Sequence, residues 1–200
     1  MPTYPITLPT AGLYAEWLRL TRIQAAMPSP FSGAFQGVDK FAQWMLTINL
    51  TRMSFANAEI MAAAVDSLRG QIGTFSYAPW QSQTSALTGR TLAVTLYKYS
   101  SAAQIAGWTA SAASQLRAGQ FLQIGNQLFR LTAAPANADG AGKCTVEFEP
   151  YARQDYAAAT AVEFAAPKGL FRLLPDAPSG FEVDVHRYPA FKPIEAVEAL

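Results

Sequence analysis

The sequence predicts a mainly β protein: a β-sandwich or barrel-like domain with one packed α-helix at about residues 55–69, followed by a second set of short β-strands. Three observations carry this. Residues 41–51 alternate strictly, with Trp44, Leu46, Ile48 and Leu50 on one side and Met45, Thr47, Asn49 and Thr51 on the other. That period of two belongs to a sheet with one face on a core. Only the segment 55–69 combines helical spacing with caps at both ends, and after Gly70 the apolar alternation returns in short runs broken by turn residues.

Taken in order, Met1–Gly12 holds three prolines and little periodicity, and reads as an extended arm. A first strand is expected over Leu13–Ile23, with a break at Pro28 and Pro30. Phe31–Val38 fits either a short strand or an irregular excursion. Ser54 is placed to accept from the free amides of a first helical turn. Ile60, Met61, Ala64, Val65 and Leu68 follow at helical spacing, and Gly70 stands where a left-handed C-terminal cap is wanted.

Phe75 and Tyr77 then occupy a strand before Pro79, Gln81–Gly89 is a polar loop, and Leu92, Val94 and Leu96 alternate in the next strand. Ile105–Ala113 fits a short strand or a helix. Gly125-Asn126 lies between Phe121–Ile124 and Leu128–Leu131, the pattern of a tight hairpin. After a loop at Ala136–Gly142, Cys144, Val146 and Phe148 alternate with Thr145, Glu147 and Glu149. Further strands are expected at 161–164, 170–173 and 181–186, with Phe181, Val183 and Val185 on one face, and Ile194–Leu200 reads as a short tail. The expected organisation is an arm over 1–12, a sheet-plus-helix domain over 13–99, and a second β-rich subdomain with a C-terminal tail over 100–200.

Composition narrows the function. Charged residues are 14% of the chain, against roughly 25% in ordinary globular proteins. Permanent assemblies deplete charge where subunits touch, although a neutral soluble monomer rich in Ala, Ser, Thr and Gln has the same composition. The net charge is +1 without blocks of like sign, so phosphate-driven nucleic-acid binding has no electrostatic foundation. Apolar stretches are too short and interrupted for a membrane span. Met1–Leu13 lacks the basic and apolar regions of a secretory signal. The single cysteine, Cys144, forms no internal disulfide, which fits assembly in a reducing cytoplasm.

Chemistry needs a nucleophile, a base or a metal set within mutual reach. His186 is the only histidine, and a surface or interface role suits its strand position. One imidazole and one thiol are too few for zinc, and Cys144, in phase with Val146 and Phe148, reads as a small buried apolar side chain. Glu147 with Glu149, or Glu182 with Asp184, would share a strand face at about 7 Å, but any solvated strand displays such pairs. A calcium loop from Asn137 and Asp139 lacks its remaining oxygen ligands. Trp44 is in phase with the core. Trp17, Trp80, Trp108, Tyr97 and Tyr99 leave a sugar-stacking platform or an interface anchor open. No catalytic, cofactor-binding or metal residue is assigned, and the expectation is a protein that is not an enzyme.

Several motifs stand in a recognisable order. Phe31-Ser-Gly-Ala-Phe-Gln-Gly37 precedes the Trp44 strand and the capped helix, which ends in Leu68-Arg-Gly-Gln-Ile-Gly-Thr-Phe75. Arg117-Ala-Gly-Gln-Phe121, Ile124-Gly125, Leu128-Phe-Arg-Leu131, Ala138-Asp-Gly-Ala-Gly142, Phe148-Glu-Pro150 and Pro167-Lys-Gly-Leu-Phe-Arg-Leu173 follow. This resembles minor tail proteins of long-tailed bacteriophages, in particular the distal tail (Dit-like) group. The resemblance implies a structural subunit of the virion's tail tip or baseplate, assembled in the host cytoplasm. It implies a homo-oligomeric ring, a hexamer favoured, joining the tail tube protein to the tail hub and tip proteins. Such a ring would pass the tape measure protein and the genome through its channel. It implies no cofactor. A different class, a carbohydrate-binding module of a receptor-binding tail component with Trp80, Trp108 or Tyr99 stacking on sugars, is the alternative.

Overall fold

The structure is a computed structural model that describes residues 3–199 apart from 30, 82–85, 176, 178 and 179. Strand takes 40% of the chain and helix 7%, so sheets supply both cores. One sheet has six strands: β1 (Ile6–Thr7), β4 (Phe75–Tyr77), β11 (Gly169–Leu173), β14 (Ile194–Glu198), β3 (Phe35–Leu50) and β2 (Leu13–Pro28), in that spatial order. The other six main strands close into a barrel: β10 (Ala161–Glu163), β5 (Arg90–Leu92), β6 (Ala102–Ala106), β9 (Lys143–Glu149), β8 (Gln127–Leu131) and β7 (Phe121–Ile124). A small hairpin, β12 (Glu182–Val183) with β13 (Pro189–Ala190), and one helix, α1 (Phe55–Ser67), complete the chain.

The alternation at 41–50 does what its period requires. Ala42, Trp44, Leu46 and Ile48 are buried, while Phe41, Gln43, Met45 and Thr47 are only half-covered on the opposite face. Helix α1 lies on the buried face through Ala58, Met61, Val65 and Leu68. It starts where Ser54 Oγ accepts from the Asn57 amide at 3.4 Å. Its end differs in detail from the expected cap. Both Arg69 (φ 51°) and Gly70 (φ 66°) turn left-handed, and the Gly73 amide closes the turn on the Leu68 carbonyl at 2.7 Å. Ile60, expected on the core stripe, is 57% exposed because Met61 and Val65 take the buried side instead.

The barrel core holds Leu92, Ile105, Leu122, Ile124, Phe129, Val146, Phe148, Val162 and Phe164. Gly125-Asn126 does join a hairpin, Ile124 pairing with Gln127, and only Gly125 has positive φ, at 58°. Glycine at the first central position is the type II′ arrangement, whose twist matches that of the flanking strands. Strand β8 is covered on both sides: Phe129 and Leu131 face the barrel core, while Leu128, with Phe121 of β7, joins the core of the open sheet. The two cores therefore meet at β7 and β8. Trp44 seals the junction, its Nε1 donating to the Leu128 carbonyl at 2.9 Å and its ring lying 5.4 Å from that of Phe121.

The division of strands differs from a boundary at 99/100. That boundary would separate β5 from its partner β6, whereas the chain leaves the barrel only after residue 163 and then returns to the first sheet. Ile194–Leu200, read as a tail, contains an interior strand: β14 pairs with β11 on one side and β3 on the other. Leu200 lies outside the described residues, as do Met1 and Pro2 of the arm, the break at Pro30, and residues 82–85 of the polar loop. The rest of the arm is extended but bound to its own chain, with Ile6–Thr7 running parallel to β4 and Leu8 buried. The ambiguous segment 105–113 resolves as the end of β6 followed by turns, and 31–38 as a tip leading into β3. The strand expected through Leu96 stops at Leu92, with Val94 exposed and Leu96 making an isolated bridge to Tyr156. Likewise 181–186 is two strand residues followed by a turn.

Strands β2 and β3 pair from Leu13–Leu50 to Pro28–Phe35, but β14 accompanies β3 only over Met45–Ile48. Beyond that the pair runs on as a two-stranded ribbon to a tip near residues 29–34. Among the described residues β2 has no strand on its outer edge. No helix of the described residues is long and apolar enough to cross a membrane.

Candidate functional site

The residues weighed for chemistry do not come together. His186 sits in an exposed turn, not a strand, where the Asp184 carboxylate accepts from the His186 and Tyr188 amides, at 2.9 Å each. Asp184 also pairs with Arg52 at 3.4 Å, and Glu182 with Lys192 at 3.3 Å. Glu149 pairs with Arg22 at 3.4 Å across the junction of barrel and sheet, while Glu147 is exposed. Asp139 holds a turn by accepting from the Ala141 and Lys143 amides at 2.8 Å. Cys144 is buried, and desolvation pushes its thiol up, away from the reactive thiolate. Among the described residues no three His, Cys, Asp or Glu side chains are grouped to hold a metal ion.

The aromatic candidates separate cleanly. Trp44 is in the core. Trp108, expected near the surface, is only 8% exposed, because its Nε1 donates to the Ser114 carbonyl and Arg90 covers its ring at 4.6 Å. It therefore cannot serve as a stacking platform. Trp17, Trp80, Tyr97 and Tyr99 are exposed. Trp17 carries the Arg19 guanidinium at 4.4 Å over its ring.

A cleft of about 580 Å³ opens where the barrel loops meet the open sheet, lined by Phe41, Gln43, Lys98, Tyr99, Tyr151, Arg153, Gln154, Arg172, Val197 and Glu198. Its floor is built around an ion pair. The Glu198 side chain is fully covered, and it accepts from Arg153 Nη2 at 3.1 Å, the Leu128 amide at 3.2 Å and the Trp44 amide at 3.4 Å. Burial pushes its carboxyl up to about 7, against the opposing pull of Arg153 and the two amides. Arg153 also donates to the Ala42 carbonyl and lies 4.8 Å over the Phe41 ring.

Gln127, fully buried on β8, explains why the loop carrying Arg153 sits where it does. Its Nε2 donates to the Tyr151 carbonyl at 2.9 Å, and its Oε1 accepts from the Arg153 amide at 3.0 Å and the Tyr156 hydroxyl at 3.2 Å. Opposite, the Tyr99 amide donates to the Ala152 carbonyl at 2.7 Å, and the Tyr99 and Tyr151 rings stand 5.6 Å apart. Sequence reasoning missed this cleft. Glu198 did carry a signal, since an acidic residue in phase with Ile194 and Ala196 belongs on a buried strand face. Arg153, in an irregular loop, carried none.

A second unsatisfied feature is the ribbon. Ile23 and Met27 are exposed along it, and Phe31 at its tip is 99% exposed. No protein-family model matches the chain, and no curated protein is significantly similar to it in sequence.

Proposed function

We propose that this chain is a structural, self-associating subunit of a bacteriophage tail tip or baseplate. In this reading it closes into a ring, a hexamer favoured, that joins the tail tube to the tip hub and leaves a channel for the tape measure protein and the genome. The observation that carries the proposal is the β2–β3 ribbon. An open strand edge ending in exposed Ile23, Met27 and Phe31 is a liability that a solitary protein blunts or covers. A ring provides the cover, because head-to-tail contacts place one patch of each subunit against a different patch of the next. The low charge density and the ordered tail-protein motifs point the same way. The role is mechanical, with side chains serving shape and contact.

The test is direct. Light scattering and electron microscopy of the purified protein should give closed rings of uniform subunit number, and antibodies should label the tips of intact tails. A monomer that persists at high concentration, in a protein missing from purified virions, overturns the reading.

A further inference from the structure

We propose that the cleft between barrel and sheet binds an acidic sugar, a pyranose ring bearing a carboxylate. The lining supplies the three kinds of contact such a ligand needs. Tyr99 and Tyr151 present aromatic surface for the apolar face of a sugar ring, Tyr99 being exposed with the Lys98 ammonium 4.9 Å over its ring, while Arg153 already lies over Phe41. Gln43 and Gln154 bring amides, each able to donate to and accept from hydroxyls. Lys98 and Arg172 bring positive charge, and neither has an ion-pair partner among the described residues. The third cation, Arg153, is paired with Glu198, so even with that carboxyl ionised the lining keeps a surplus of two positive charges for an incoming carboxylate. The volume of about 580 Å³ lies within the roughly 300–1,000 Å³ usual for small-molecule sites.

Two features favour a compact ring over a peptide. The sheet side of the cleft comes from β3, β14 and β11; β14 and β11 pair with each other there, and where β3 runs on past the end of β14 its Trp44 amide and Ala42 carbonyl are already taken by the Glu198 and Arg153 side chains. A peptide therefore finds no free edge to extend, and recognition rests on side chains. Tyr99 also holds a left-handed backbone, φ 70°. That conformation is unfavourable for a bulky residue and persists only where the surroundings demand it. Here the Ala152 carbonyl fixes the Tyr99 amide, setting the tyrosine beside Tyr151 at the cleft.

Amide NMR of the full chain tests the proposal, titrating in a galacturonic acid disaccharide, with neutral galactobiose, inorganic phosphate and tetraglutamate as parallel arms. The acidic disaccharide should shift the amides of residues 98–99, 151–154 and 172, and bind at least about tenfold more tightly than galactobiose, as expected for a hydrogen bond to a charged group. Arg172→Ala and Lys98→Ala, both at exposed positions, should each weaken it by about tenfold while the remaining spectrum stays unchanged. Equal binding of galactobiose, phosphate alone matching the disaccharide, tetraglutamate binding in place of sugar, or no shifts in the cleft would each overturn the proposal.

Discussion

At the scale of single residues the most consequential group is Glu198. A carboxylate in phase with Ile194 and Ala196 is carried onto the face that packs on the barrel, where water cannot reach it. Three donors meet it there, yet desolvation outweighs them and its pKa rises from 4.5 to about 7. The folded protein thus holds this proton more tightly than the unfolded chain does. The resulting stabilisation is complete below the ordinary carboxylate value of 4.5 and is lost as pH rises through about 7. The span corresponds to about 3 kcal/mol. Urea unfolding of the native protein and of Glu198→Gln, compared at each pH, should show the stability gap between them narrowing in the native protein's disfavour from pH 4.5 to 7. A gap independent of pH over that window would mean that Glu198 stays ionised in the fold.

At the scale of elements, turns set the registers that place such residues. Gly142 closes the loop before β9 with φ 70°, and a Cβ there would lie 2.1 Å from the Trp108 carbonyl oxygen. Backbone cannot yield as a flexible side chain can, so Gly142→Ala should cost about 2 kcal/mol or more. Thermal melts would register this, and a loss below about 0.5 kcal/mol would contradict the rigidity of the turn. Turn glycines and period-two runs are local signals. For that reason α1, the β7–β8 hairpin and β9 were legible in the sequence with bounds close to those observed, and β3 was legible over its core-facing part from Phe41, but not over the ribbon part that begins at Phe35. What could not be read was non-local. Whether Ile194–Glu198 is a loose tail or an interior strand depends on β3 and β11 lying on either side of it, partners about 150 and 25 residues earlier in the chain. Trp108 failed for the same reason, its cover coming from Arg90 and the Ser114 carbonyl. The cleft combines both kinds of blindness, since its walls come from β3, the 98–99 turn, the 151–154 loop, β11 and β14.

At the scale of the whole molecule, the open sheet and the barrel complete each other through Trp44, Phe121, Leu128 and the Arg153–Glu198 pair, none of which lies on the ribbon. None of the described side chains of the ribbon outward of Ile23 and Phe41 joins either core, while a two-stranded hairpin in water is marginal by itself. Its length is therefore better explained by what lies outside the subunit than by folding. Replacing residues 24–40 with an Asn-Gly turn joins Ile23 to Phe41, which already face each other in the register. The shortened chain should keep a cooperative thermal transition within a few degrees of the parent, and remain monomeric at concentrations where the full chain assembles. A milder change, Phe31→Asp with Met27→Asp, should weaken assembly in the same direction without touching the cores, since both side chains are exposed. Sedimentation velocity on the three proteins distinguishes the outcomes. If the shortened chain still forms rings, the contacts lie on the sheet face or the helix, and the ribbon has some other use. If it unfolds, the ribbon belongs to the core after all, and its exposed apolar side chains no longer point to assembly.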